Sequence, residues 1–255
     1  MHEAPVKQLG TDLIEDQEFT RSKLVALATW NIQGKSVLEA YVVLEDCLHD
    51  FNVVSFQEVS GCSQLLSKGS YCFGGEVGPG VSCIYAWPED CFRPLAVAFD
   101  SCIGWSGVFV RHSHMSLSLQ VPGLSRPIVW VCAHLPHISR PLEDLTNAIE
   151  SLQQDVQPWL GKHLSIVLAG DLNYPLADDV SQRSQMVQQM CSLLDLNVHS
   201  CSTTPTRSSG LRRFDHIVIN PIFQQQCLSQ EVQESSCLEC AFEGYHWDVP
   251  SCTWM

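Results

Sequence analysis

The chain has 255 residues, enough for one large domain or two small ones, and no Pro/Gly/Ser-rich linker or charge block divides it. Its 14 Lys and Arg against 28 Asp and Glu leave a net charge of −14. This argues against tight nonspecific binding of long duplex DNA, although local basic groups or a bound cation can offset the global charge at one site. No apolar run approaches the ~20 residues needed to span a bilayer.

Met1 to Ser22 reads as a polar leader carrying Glu3, Asp12, Glu15, Asp16 and Glu18. It has no apolar core, so neither a signal peptide nor an anchor is expected, and residues 23–255 form the expected domain. Leu24 to Trp30 is an apolar, Thr-containing run that ends in Asn31 and reaches Gly34. Ser36 is a helix N-cap, with Val37, Tyr41, Leu44 and Leu48 following at helical spacing. Val53-Val54-Ser55-Phe56 ends in Gln57-Glu58. Runs rich in Val, Ile and aromatics occupy 81–87, 95–99, 107–111, 115–121 and 128–133, the last leading into His134. Leu145, Ile149, Leu152 and Val156 predict a second helix, and Val187, Met190, Cys191 and Leu194 a third. These two flank the apolar run Leu164 to Leu168. Asp215 opens the strand through Ile219, and Tyr245-His246-Trp247 precedes a last short run. Strand clusters interrupted by three helices predict stacked sheets with helices outside.

The 13 Cys are scattered and odd in number, and with no export signal they point to thiols in a nuclear or cytoplasmic setting. Cys237 and Cys240 form a CxxC with His246 and Cys252 nearby. No second pair at zinc-finger spacing accompanies them, so free thiols are expected. A monomer is the default expectation.

Ala169-Gly170-Asp171-Leu172-Asn173 carries the chemistry. A buried strand that ends in Gly and delivers Asp and Asn two positions apart suits metal-assisted attack of water on a phosphate. The carboxylate can take the proton, and the amide can hold the water or a phosphoryl oxygen without adding charge. Asp and Asn are also ordinary turn formers.

The ordered series Thr29 to Gly34, Phe56-Gln57-Glu58, Ala133-His134-Leu135, Gly170 to Asn173, Phe214 to Ile217 and Tyr245-His246-Trp247 resembles the endonuclease/exonuclease/phosphatase superfamily. Deoxyribonuclease I, apurinic-site endonucleases, endonucleases of non-LTR retrotransposons, sphingomyelinases and inositol-polyphosphate phosphatases belong to it. The resemblance implies a DNase I-like four-layered α/β sandwich of two stacked, mostly antiparallel sheets flanked by helices, with the site at one end of the sheets. It implies Glu58 as ligand of Mg²⁺ (or Mn²⁺), with Asn31 assisting, and Asp171 and Asn173 positioning and activating the water. His246 contacts the scissile phosphate with Asp215 on its other nitrogen, and His134 resembles a general acid. Arg212 and Arg213, beside Arg207, are candidate phosphate contacts, as are Lys68 and Arg111. His112, His114, His137 and His216 are expected to be bystanders.

The expected function is a Mg²⁺-dependent phosphodiester hydrolase, a DNA endonuclease with nucleic acid as substrate. The segment from Pro205 to Asp215 resembles the corresponding strand entry of retrotransposon endonucleases. A phosphatase or phosphodiesterase on a small or lipid-linked phosphate, and a binding module without turnover, are the alternatives. The last is motivated by two departures. Gln33 stands where many relatives carry Asn or Asp. Gly244-Tyr245-His246 replaces Ser-Asp-His, unless the register shifts by two and puts Asp248 at the His position.

Overall fold

The computed structural model describes residues 27–43, 51–61, 66–176, 180–198, 215–225 and 242–246, the last as backbone. The polar leader, the CxxC and the arginines 207, 212 and 213 lie outside the described residues.

Sheet A contains β1 (Leu27–Asn31), β2 (Val53–Gln57), β3 (Ser70–Gly78), β4 (Val81–Trp87), β5 (Leu95–Asp100) and β12 (Phe242–His246). Their order is β12-β1-β2-β5-β4-β3. Sheet B contains β6 (Gly104–Arg111), β7 (His114–Gln120), β8 (Ile128–His134), β9 (Ser165–Asp171), β10 (Asn197–Val198) and β11 (Asp215–Ile219), in the order β10-β11-β9-β8-β7-β6. Both sheets are mixed: β12, β1 and β2 run parallel, as do β8 and β9, and the other neighbours are antiparallel. α1 (Val37–Val43), α2 (Leu142–Leu160) and α3 (Gln182–Leu193) pack on the outer faces.

A four-layered sandwich needs three separate apolar cores, and three are present among the described residues. Val37, Ala40 and Tyr41 of α1 pack on Ala28, Trp30, Val54 and Phe56 outside sheet A. Phe99, Leu117, Trp130, Val167 and Ile217 fill the space between the sheets. Leu145, Leu152, Val187 and Met190 of the other helices cover Val131, Ile166 and Leu168 outside sheet B. Burying each such side chain stabilises by about 1.5–3 kcal/mol. Because β2 and β9 are covered on both faces, every residue in them is buried. That is why they appear in the sequence as unbroken apolar runs rather than alternating ones.

The helix starts follow local rules. Ser36 Oγ accepts the Glu39 N–H at 3.1 Å while Glu39 Oε2 accepts the Ser36 N–H at 2.7 Å, a reciprocal cap that starts α1. Ser181 Oγ accepts the Ser184 N–H at 3.3 Å at the start of α3. Four strands depart from expectation: β3, β10 and β12 were not expected, and β6 begins at Gly104 rather than 107. β3 and β6 are edge strands, half exposed and interrupted by bulges at Phe73/Gly75 and Ser106/Phe109, so their sequences lack a clean two-residue period. Among the described residues no helix is long and apolar enough to cross a membrane.

Candidate active site at the joined strand ends

Strand register alone sets two rows of polar groups at one end of the sandwich. In sheet B, Asp215, Asp171 and His134 are successive partners across β11, β9 and β8. In sheet A, His246, Asn31 and Gln57 are successive partners across β12, β1 and β2. β11 lies against β12 across the sheets, bringing the strand of Asp215 beside that of His246.

Asn31 joins the rows. Its Nδ2 donates to Glu58 Oε1 at 3.1 Å and to Asp171 Oδ2 at 2.9 Å. Its Oδ1 accepts the Gln33 N–H at 3.1 Å. Asp171 Oδ1 accepts the Asn173 N–H at 2.9 Å, so each carboxylate oxygen has a donor that fixes its plane. Asn173 Nδ2 donates to the Leu135 carbonyl at 2.7 Å, tying this turn to the exit of β8. The amide oxygen of Asn173 has no hydrogen bond within this set.

The exits are held in an unusual backbone shape. Gln33, Glu58 and Asn173 have φ of 46°, 55° and 57°, a left-handed region that costs a non-glycine residue of order 1 kcal/mol or more. Backbone bonds hold the first two there: Ile32 N–H donates to Gln57 O at 3.0 Å and Gly34 N–H to Glu58 O at 2.7 Å. Gly170 is required by a close approach, since a Cβ there would lie inside the Ala133 carbonyl oxygen.

The site also includes a cation that sequence reasoning missed. Arg93 Nη1 is 3.8 Å from Glu58 Oε2, and its guanidinium fills the space where a Cβ of Gly34 would be. Every expected site residue on a strand except Asp215 and His246 follows an apolar run. Arg93 precedes one, Leu95 to Phe99, and nothing in its neighbours marks it.

His134 is half-buried and turns Nε2 towards Glu58 Oε1 at 3.9 Å. Its Nδ1 is buried and makes no hydrogen bond among the described residues. Asp215 is fully buried. The other histidines are engaged elsewhere: His112 with Asp90, His114 with Asp155, His137 with Ser139 and His216 with the Tyr174 carbonyl. Arg111 pairs with Asp155 and Lys68 with the Glu89 carbonyl, so neither cation is directed at the site.

Beneath the rows a polar tie crosses between the sheets. Gln57 Nε2 donates to Thr29 Oγ1 at 3.1 Å and to Cys132 Sγ at 3.6 Å, and Trp130 Nε1 donates to Ser55 Oγ at 2.9 Å. Burial pushes the Cys132 thiol up to about 11, and it raises Cys91, beside the His134 carbonyl, still further. Neither is a thiolate at neutral pH, so cysteine nucleophilic chemistry is not available here.

Among the described residues no cluster of three or more His, Cys, Asp or Glu exists that would cage an ion. What converges is two carboxylates bridged by the Asn31 NH₂ group. Carboxylate oxygens suit Mg²⁺, which keeps most of its waters and takes one or two carboxylates. Glu58 is the more exposed of the two acids, with its side chain 29% accessible, whereas Asp171 is buried.

A family model described as Endonuclease/Exonuclease/phosphatase family matches residues 28–232. The chain belongs to the endonuclease/exonuclease/phosphatase family. Members of this family are phosphoric ester hydrolases, and its nucleases usually depend on a divalent metal. Solved structures with the family's DNase I-like sandwich superpose on this chain. The endonuclease domain of TRAS1, a telomere-specific non-LTR retrotransposon, does so with a TM-score of 0.57 at 14% identity, over 76% of this chain and 84% of that one. The 3′ phosphatase NExo of Neisseria, bound to product DNA hairpin, gives 0.53 at 16% identity, over 76% and 85%. The human Nocturnin catalytic domain with bound sulfate gives 0.52 at 14%, over 78% and 82%. Sequence comparison with curated proteins returns no match.

Proposed function

We propose that this family domain is a Mg²⁺-dependent phosphodiester hydrolase acting on DNA as an endonuclease. The observation that carries the reading is the Asn31 bridge, which holds Glu58 and Asp171 together at the meeting point of two sheets, with Asn173 and His134 beside them. A bound Mg²⁺ would neutralise charge developing on the phosphoryl oxygens. Glu58 would hold it, with Asn31 Oδ1 offering its second lone pair.

Asp171, locked by two amide donors, takes the proton of a water held by the Asn173 amide oxygen, in line with the phosphorus. His134 Nε2 gives a proton to the leaving oxygen. His246, the register partner of Asn31, contacts the phosphate, with Asp215 as its partner; this register favours His246 over Asp248 as the terminal group. Arg93 binds a phosphoryl oxygen, and Arg212 and Arg213 extend the contact along the strand. The described cysteines are free thiols, which supports a nuclear or cytoplasmic setting.

The test is nicking of supercoiled plasmid. Cleavage that requires Mg²⁺ or Mn²⁺, stops with EDTA and is lost in Asp171→Ala supports the reading. No cleavage of DNA, together with turnover of small phosphate esters, overturns the nuclease assignment. The net charge of −14 favours that second reading, a phosphatase of small substrates. Tyr245→Asp separates a weakened enzyme, which it would revive, from a binding module, which it would not.

A further inference from the structure

Phe92 presents its ring to solvent beside the site. It is 81% exposed, the most exposed aromatic among the described residues, yet its neighbours on both sides are tied down. Cys91 is buried with Sγ against the His134 carbonyl, and Arg93 reaches Glu58. Next, the carbonyl of buried Pro94 accepts the Val59 N–H at 2.9 Å, one residue beyond Glu58.

The loop from Pro88 to Pro94 joins β4 to β5 and touches both sheets. The Asp90 N–H donates to the His112 carbonyl at 2.7 Å in the turn between β6 and β7, and Trp87 Nε1 donates to the Cys91 carbonyl at 3.2 Å. Lys68 Nζ donates to the Glu89 carbonyl at 2.6 Å. A loop held at so many points displays its one aromatic ring in a set place, so little ordering is left to do when a ligand arrives.

An isolated exposed apolar side chain is ordinary on a protein surface. Phe92 is set apart by Arg93, whose guanidinium lies over the ring at 5.7 Å from its centroid and 3.8 Å from Glu58 Oε2. One cation thus links the ring to the acid proposed to hold the metal. The net charge of −14 then selects the kind of ligand, because counterion release supplies little affinity for a duplex here. Stacking on an aromatic face needs no charge and every base offers a face, but only a base freed from its partner and neighbours can use it.

We propose that Phe92 is a stacking platform for an unpaired base beside the scissile phosphate, and that the substrate class is single-stranded or locally unpaired DNA. This rests on the reading of the site as a DNA endonuclease. Arg93 holds a phosphoryl oxygen, and the base of the adjoining nucleotide lies on the open surface of the Phe92 ring. Base pairing in an intact duplex withholds that base, so the platform discriminates against duplex without reading sequence.

The test is binding of labelled oligothymidylate to the full chain with Mg²⁺, followed by fluorescence anisotropy and compared with the same strand annealed to its complement. Every protein carries Asp171→Asn so that the strand stays intact. The single strand is expected to bind more tightly than the duplex. Phe92→Ala is expected to keep its Tm and to weaken single-strand binding about tenfold, and Phe92→Tyr to keep the affinity. In Phe92→Trp the added indole emission is expected to be quenched by the strand, which reports contact at this position. Phe73→Ala, which removes an exposed ring stacked on Trp105 at 5.5 Å on the sheet edges, is expected to leave binding unchanged. Tighter binding of the duplex, undiminished binding in Phe92→Ala, unquenched emission in Phe92→Trp or an equal loss in Phe73→Ala overturns the proposal. The expected pattern in a protein that cleaves no nucleic acid with Asp171 intact upholds the platform and overturns the nuclease reading. Duplex cleavage indifferent to Phe92→Ala does the reverse, and no binding of either form overturns both.

Discussion

Asn31 and Asp171, 140 residues apart in the chain, meet at 2.9 Å through one amide hydrogen bond that links the two sheets. The same nitrogen reaches Glu58 at 3.1 Å, so a neutral group separates two acids that would otherwise repel.

Asn31→Ala removes the amide and leaves two carboxylates facing one another. A hydrogen bond to a charged group contributes about 1.5–3 kcal/mol, and urea denaturation is expected to register a loss of that size. Cleavage is expected to drop by ~10²-fold or more. A variant with wild-type turnover would show that the amide is not part of the machinery.

Gly170 allows β8 and β9 to approach closely. Gly170→Ala forces a Cβ against the Ala133 backbone and is expected to destabilise by about 1–3 kcal/mol, measured as a lowered Tm. Because Asp171 and His134 are register partners one residue beyond, activity should fall further than the stability loss explains.

Arg93 and Gly34 form a second pair that can be tested together. Arg93→Ala is expected to raise KM for an oligonucleotide about tenfold with a smaller change in kcat. Gly34→Ala should produce the same KM defect with Arg93 still present, since the new methyl group displaces the guanidinium. Independent, additive effects of the two substitutions would break the link.

Asp155 gives a pH signature remote from the site. Its carboxyl is held below the usual range, chiefly by the hydrogen bond from His114, then by the charges of His114 and Arg111, against burial, which raises it. A depressed folded value means the stabilisation is complete above the unfolded pKa of about 3.9 and is lost as pH falls through the folded value. The Tm difference between wild type and Asp155→Asn is therefore expected to be constant near neutrality and to shrink below about pH 4. A difference that persists undiminished into strong acid would contradict this.

Mg²⁺ binding can be read without any substrate. An ion bound to the folded state at a hundred times its Kd adds about 2.7 kcal/mol, visible as a rise in Tm. Glu58→Gln is expected to abolish the rise.

The central strands and their polar ends were legible in the sequence because full burial produces unbroken apolar runs. Asn31, Glu58, His134 and Asp171 stand immediately after such runs, and the structure brings them together. β3 was illegible because Gly74, Gly75 and Gly78 erase the alternation on an exposed edge. Arg93 was illegible for another reason: its place depends on the missing Cβ of Gly34, a coincidence of two segments that neither announces alone.

The bonds from Asn31 to Asp171, Gln57 to Cys132 and Trp130 to Ser55 act as dowels between two greased plates. Oily contacts tolerate sliding, whereas directional bonds at several depths do not. Plates pinned in this way cannot shear to accommodate a larger or differently shaped molecule. Any adjustment of fit must come from the loops that leave the pinned ends, so relatives with other tastes should differ there while the dowels stay in place.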